Sequence, residues 1–159
     1  MNVFIDTQLW VYAFKKPRKE YFNNSNEYEE ALHFHKVSSK LIHNALLEHT
    51  IYTTTHQLAE IYHVLAFRGI KMNTKDALNI IESISRSSRV VLVEVKRKHY
   101  IEALRISSMS GIHVWDYLCL LPLKDLVEVA YTNDKHFLHP TLRNLVRIVE
   151  NPLGKWLEI

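Results

Sequence analysis

The sequence predicts an α/β domain of three layers, with a mostly parallel central sheet and helices on both faces. Three observations lead there. Short β-branched runs such as TIYTT (50–54) and VVLVEV (90–95) alternate with longer segments whose apolar residues recur every three or four positions. That alternation continues along nearly the whole chain, which favours parallel strands joined by crossover helices. The 159 residues, 47% of them hydrophobic, suffice for one sizeable core, so a single domain over 1–159 is expected.

The first strand is expected over 2–6 (NVFID), with QLWVYAF continuing at once as a short helix that keeps Leu9, Tyr12 and Ala13 on one side. A long helix over 26–49 carries Ala31, Leu32, Phe34, Val37, Leu41, Ala45 and Leu46 at helical spacing. TIYTT forms the second strand and leads into a helix over 56–67. Thr54 and Gln57 stand there at the spacing of a capping box, and Gly69 ends the helix. TKDALNIIESISR (74–86) is amphipathic. VVLVEV is a third strand, which periodicity alone does not assign to the main sheet. The helix over 97–111 closes at Gly111, and VWDYLCLLPLK (114–124) reads as a buried helix shortened or ended by Pro122. LVEVAYT (126–132) and LVRIVE (145–150) supply the last two strands.

Composition excludes several function classes. Only three glycines occur, so neither a phosphate-binding P-loop nor a dinucleotide fingerprint can be written. The single cysteine, Cys119, excludes a disulfide framework and a cysteine-built zinc site, and is expected to be inert packing in a reducing compartment. The N-terminus shows no signal-peptide pattern, and YLCLLPL falls far short of the roughly 20 residues that span a bilayer, so a soluble cytoplasmic protein without membrane contact is expected. A net charge of +3 permits a polyanionic partner.

In an open parallel sheet, ligands bind outside the carboxyl ends of the strands. Asp6 and Asp134 both fall at such ends. Glu60, in the first turns of the helix after strand two, and Asp116, among Val114, Trp115, Tyr117 and Leu118, are carboxylates in apolar helical settings that are costly to bury alone. Each has a local explanation: Asp6 as a helix cap, Asp134 as a turn residue, Asp116 as an acid favoured by a helix dipole, Glu60 as a helix-edge acid. Together at one sheet edge, four like charges stay ionised only around a cation. With no evident histidine cluster, carboxylate and water ligands suit Mg²⁺ or Mn²⁺, which can promote phosphodiester hydrolysis. Outside those four acids the chain has twenty basic against thirteen acidic residues, which favours a nucleic-acid substrate.

These stretches resemble PIN domains. NVFIDTQLWVYAF is similar to the family's opening strand-Asp-Thr-helix, TTTHQLAEIYHVL to its glutamate-bearing helix, VWDYLCLL to its central aspartate helix, and VAYTNDKHF to its Thr-x-Asp-x-x-Phe strand end. The resemblance implies a Mg²⁺- or Mn²⁺-dependent endoribonuclease, and among small members of the family a VapC-type toxin paired with an antitoxin. It implies that Asp6, Glu60, Asp116 and Asp134 are metal ligands and that the Thr7 and Thr132 hydroxyls orient the site. Gln8, Pro122 and His136 depart from the family pattern. An inactive RNA- or protein-binding module and an rRNA-processing nuclease are the alternatives.

Beside the Asp6 helix, Lys15, Lys16, Arg18 and Lys19 form a basic tract that would track an RNA backbone or simply face water. His136 is a candidate contact to the scissile phosphate. Trp10, Tyr12, Phe14, Phe34, Tyr62, Phe67 and Trp115 lie at helical spacings and are expected in core or dimer packing rather than base stacking, with a homodimer as the expected assembly.

Overall fold

The computed structural model describes residues 1–159. Its sheet has five strands in the order β3-β2-β1-β4-β5: β1 Asn2–Ile5, β2 Thr50–Thr54, β3 Val90–Val93, β4 Val129–Tyr131 and β5 Ile148–Glu150. Every pairing is parallel, so the expected mostly parallel sheet is wholly so. The third strand, left unplaced by its periodicity, lies at one edge of this sheet beside β2. No helix is long and apolar enough to cross a membrane.

β1 is central, which explains its unbroken apolar run: alternate residues must be hydrophobic on both faces. Val3 and Ile5 point into one core with helices α1 (Thr7–Phe14), α2 (Ser25–Glu48), α3 (Thr55–Phe67) and α4 (Thr74–Arg86). Phe4 points into the other, with α5 (Arg97–Ser110), α6 (Val114–Leu120) and α7 (Pro140–Arg143). Phe4 and Phe137 stack there at 6.1 Å. The expected 114–124 helix runs only to Leu120. Leu121–Leu123 tightens into a 3₁₀ turn with Pro122 at its start, because proline removes an intrahelical donor.

The chain adds β2 and β3 on one side of β1, then returns to place β4 and β5 on the other. The direction of winding therefore reverses between β1 and β4, and the crevice at their carboxyl ends is where such sheets bind ligands. Thr54 caps α3 by accepting from the Gln57 backbone N–H at 3.1 Å, but the Gln57 side chain does not close the expected capping box. It is fully buried, where its amide donates to the Ile5 carbonyl at 2.8 Å and accepts from the Thr53 hydroxyl at 2.7 Å. Gln57 thus ties α3 to the end of β1. Gln57→Leu should cost about 2 kcal/mol in urea unfolding, because the Thr53 hydroxyl is left buried without its acceptor.

Candidate active site

Asp6 follows β1 and caps α1, accepting from the Thr7 N–H at 2.7 Å through one oxygen. Its other oxygen accepts from the Thr132 hydroxyl at 2.6 Å, just beyond β4. That hydroxyl in turn accepts from the Asp134 N–H at 3.0 Å, so one threonine spans the β1–β4 crevice and sets both acids. Asp134 caps a 3₁₀ turn (Lys135–Leu138), with Oδ1 accepting from the His136 N–H at 2.9 Å. The turn is pinned by the C-terminal segment: the Leu157 N–H donates to the Asn133 carbonyl at 2.7 Å, and the Lys135 N–H donates to Leu157 at 2.8 Å. Capping and site-building therefore coincide at Asp6, and turn chemistry and site-building coincide at Asp134.

Glu60 reaches the same crevice from the second turn of α3. Its Oε2 accepts from the Thr7 hydroxyl at 2.5 Å and lies 3.4 Å from the Cys119 thiol. Asp116 arrives in the first turn of α6, a helix anchored by the Tyr117 hydroxyl, which meets Ser110 and Thr141 at 2.7 Å each. Both threonine hydroxyls thus donate to acids of the crevice, Thr7 to Glu60 and Thr132 to Asp6.

Burial and mutual repulsion act on these acids together. Burial pushes the Asp6 carboxyl up to about 7, with the Glu60 and Asp134 charges adding to the rise. Asp116 is pushed up to about 9, first by burial and then by Asp6, Asp134 and Glu60. Asp134 is raised as well, chiefly by burial, against the opposing pull of the His136 N–H and the two nearby imidazoles. Asp116 feels the charges of the other three acids and Asp6 those of Glu60 and Asp134, and the cost of holding them together is what a bound cation would remove. Asp116 and Asp134 bring carboxylate oxygens within 4.8 Å of one another, and with the Asp6 and Glu60 carboxylates beside them they offer oxygen donors chemically suited to a divalent ion.

One expectation is corrected. The spacing showed no histidine cluster, yet His113 and His136 both face Asp116. His136 Nδ1 is 3.0 Å and His113 Nε2 is 3.5 Å from the same oxygen, and His136 Nδ1 is 3.5 Å from Asp134. His113, three residues before Asp116 at the start of α6, went unassigned, although a His-x-x-Asp spacing at a helix start was its visible signal. The His136 ring is turned to the acids. Cys119 is buried, and burial pushes its thiol up, as suits a packing residue; its sulfur also lies near ligand atoms of Glu60 and His56. Of the aromatics expected in core or dimer packing, Phe67 and Trp115 are about half exposed and lie outside the core of the single chain, and Trp115 stacks on His56 at 5.4 Å.

The basic tract divides. Lys15 is occupied structurally, donating to the Val64 and Arg68 carbonyls at 2.7 Å each at the end of α3, where a cation also complements the helix dipole. Lys16 and Arg18 line a groove of about 1060 Å³ shared by Gln8 and Tyr12 of α1, the helix that Asp6 caps, and by Arg68 and Lys71. Lys19 is exposed nearby in a 3₁₀ turn.

Fold and site together define a PIN-like three-layer α/β domain with an acidic crevice at the point where the winding of its parallel sheet reverses. The chain is similar to a solved one: a chain in the crystal structure of VapBC2 from Rickettsia felis bound to a DNA fragment from their promoter matches it with a TM-score of 0.59 at 20% identity, over 95% of this chain and 98% of that one. That likeness shows the fold. No protein-family model and no curated protein matches the sequence.

Proposed function

We propose that the protein is a divalent-metal-dependent endoribonuclease of the VapC type, the toxin of a toxin-antitoxin pair. The observation that carries this reading is the convergence of Asp6, Glu60, Asp116 and Asp134 at the carboxyl ends of β1, β2 and β4. Asp6, Glu60, Asp116 and Asp134 would hold the ion, which when bound supplies Lewis-acid activation of water and neutralises charge on a phosphodiester. Thr132 and Thr7 keep the Asp6 and Glu60 carboxylates aimed into the crevice, and burial excludes competing solvent from Asp134. The groove with Lys16, Arg18, Arg68 and Lys71 would receive the RNA backbone, with Lys19 at its rim, while the half-exposed Trp115 offers a face for a base.

Purified protein should cleave single-stranded or structured RNA in Mg²⁺ or Mn²⁺ and stop in EDTA; cleavage that persists in EDTA would contradict the reading. The fold shared with VapBC2 supports a cognate antitoxin, and homodimerisation and a cytoplasmic location belong to the same proposal. A small DNA-binding protein encoded beside this chain should co-purify with it and suppress cleavage, whereas a neighbour that neither binds nor inhibits would remove the toxin assignment.

A further inference from the structure

The His113, Asp116, Asp134 and His136 ligand atoms all lie within 4.8 Å of one another, two nitrogens among two carboxylates. The three close separations, 3.0, 3.5 and 3.5 Å, match the roughly 3.0–3.5 Å expected between donors that share one ion at about 2.1 Å. The two rings stand nearly perpendicular, at 78°, with a nitrogen of each directed at the same Asp116 oxygen. The elements carrying them are fixed independently: the His136 turn by the Asp134 cap and the C-terminal segment, and α6 by the Tyr117 hydroxyl.

We infer that His113 and His136 are metal ligands, completing with Asp116 and Asp134 a mixed imidazole–carboxylate centre that binds a first-row transition-metal dication such as Mn²⁺ in preference to Mg²⁺. The inference rests on the hydrolase reading of the same pocket and narrows its metal. Imidazole nitrogen is a borderline ligand that suits transition metals, whereas Mg²⁺ is held by oxygen and gives up its waters reluctantly. Two nitrogens in four donors therefore shift selectivity without changing the charge of the site. A protonated His136 paired with Asp116 would make the same 3.0 Å contact with no ion, so the test must detect the metal–nitrogen bond itself.

Pulsed electron paramagnetic resonance of the wild-type protein with Mn²⁺ reads directly coordinated ¹⁴N, and calorimetry with Mn²⁺ and Mg²⁺ reads selectivity. Two nitrogen couplings are expected. One should disappear in His113→Gln and one in His136→Gln, with Mn²⁺ affinity falling about tenfold or more and Mg²⁺ affinity changing little. Mg²⁺ should need at least about a tenfold excess to displace Mn²⁺. Mn²⁺ bound through oxygen alone, or displaced by equal Mg²⁺, would overturn the imidazole centre and leave the hydrolase reading standing. No Mn²⁺ binding at millimolar concentration would overturn both.

Discussion

Asp116→Asn should lower metal-dependent RNA cleavage by roughly 10²–10³-fold, while making the metal-free protein harder to unfold above pH 7. The two effects share one cause. Asp116 is held among Asp6, Glu60 and Asp134 in a buried setting that raises its carboxyl to about 9. Unfolded, it would titrate near the ordinary aspartate value of about 3.9. Between those limits the folded state keeps a proton that the unfolded state has released. Stability from this group is therefore fully present below about pH 4 and is lost as pH rises through about 9. Asp6, raised to about 7, adds a loss in the lower part of that window. Because the acids are coupled their effects do not simply add. Even so, each pH unit in the window removes up to about 1.4 kcal/mol per group. Thermal unfolding without metal should show Tm falling from pH 5 to pH 8, by about 2–4 °C for each kcal/mol lost. Asp116→Asn should flatten that fall, and added Mn²⁺ should raise the wild-type Tm at pH 8, since a ligand that binds only the folded state stabilises it. A Tm that rises with pH in metal-free wild type would contradict the described repulsion.

Thr132→Val should cost about 2–4 kcal/mol of stability and about a hundredfold in cleavage. Thr132 is fully buried and its hydroxyl does two things at once: it donates to Asp6 and accepts from the Asp134 N–H. Valine keeps the shape but leaves the Asp134 N–H buried without a partner and frees the Asp6 carboxylate to turn. Thr132→Ser retains the hydroxyl and should recover most of the cleavage, with a smaller stability loss from the missing methyl group. Urea unfolding and single-turnover cleavage on the same preparations separate the two effects. Valine at wild-type rate would mean that Asp6 needs no orienting partner.

The acids were legible in the sequence because each carries its own local signal: Asp6 ends a strand, Asp134 stands in an Asn-Asp turn, and Glu60 and Asp116 are charged within apolar helices. Boundaries set by local chemistry were legible too; α4 and β2 lie where their periodicity places them. What depended on long-range placement was not. His113 and His136 are twenty-three residues apart in the chain, and only the seating of α6 against the turn after β4 brings their rings to 4.9 Å. β3 has the composition of a buried strand but lies at the sheet edge with Val91 and Leu92 exposed, which no pattern within the strand distinguishes. Lys15 looked like one more solvent-facing cation, because its partners, the carbonyls ending α3, lie forty-nine and fifty-three residues away.

The most direct measurement is RNA cleavage by wild type and Asp116→Asn side by side, in Mn²⁺, in EDTA, and in EDTA followed by excess Mn²⁺. Wild type should cut, stop, and cut again, while Asp116→Asn stays at least about a hundredfold slower in both arms that contain free Mn²⁺. Wild-type protein that cuts equally well in EDTA, or an Asp116→Asn variant as fast as wild type, would contradict a metal-dependent site built from these four acids.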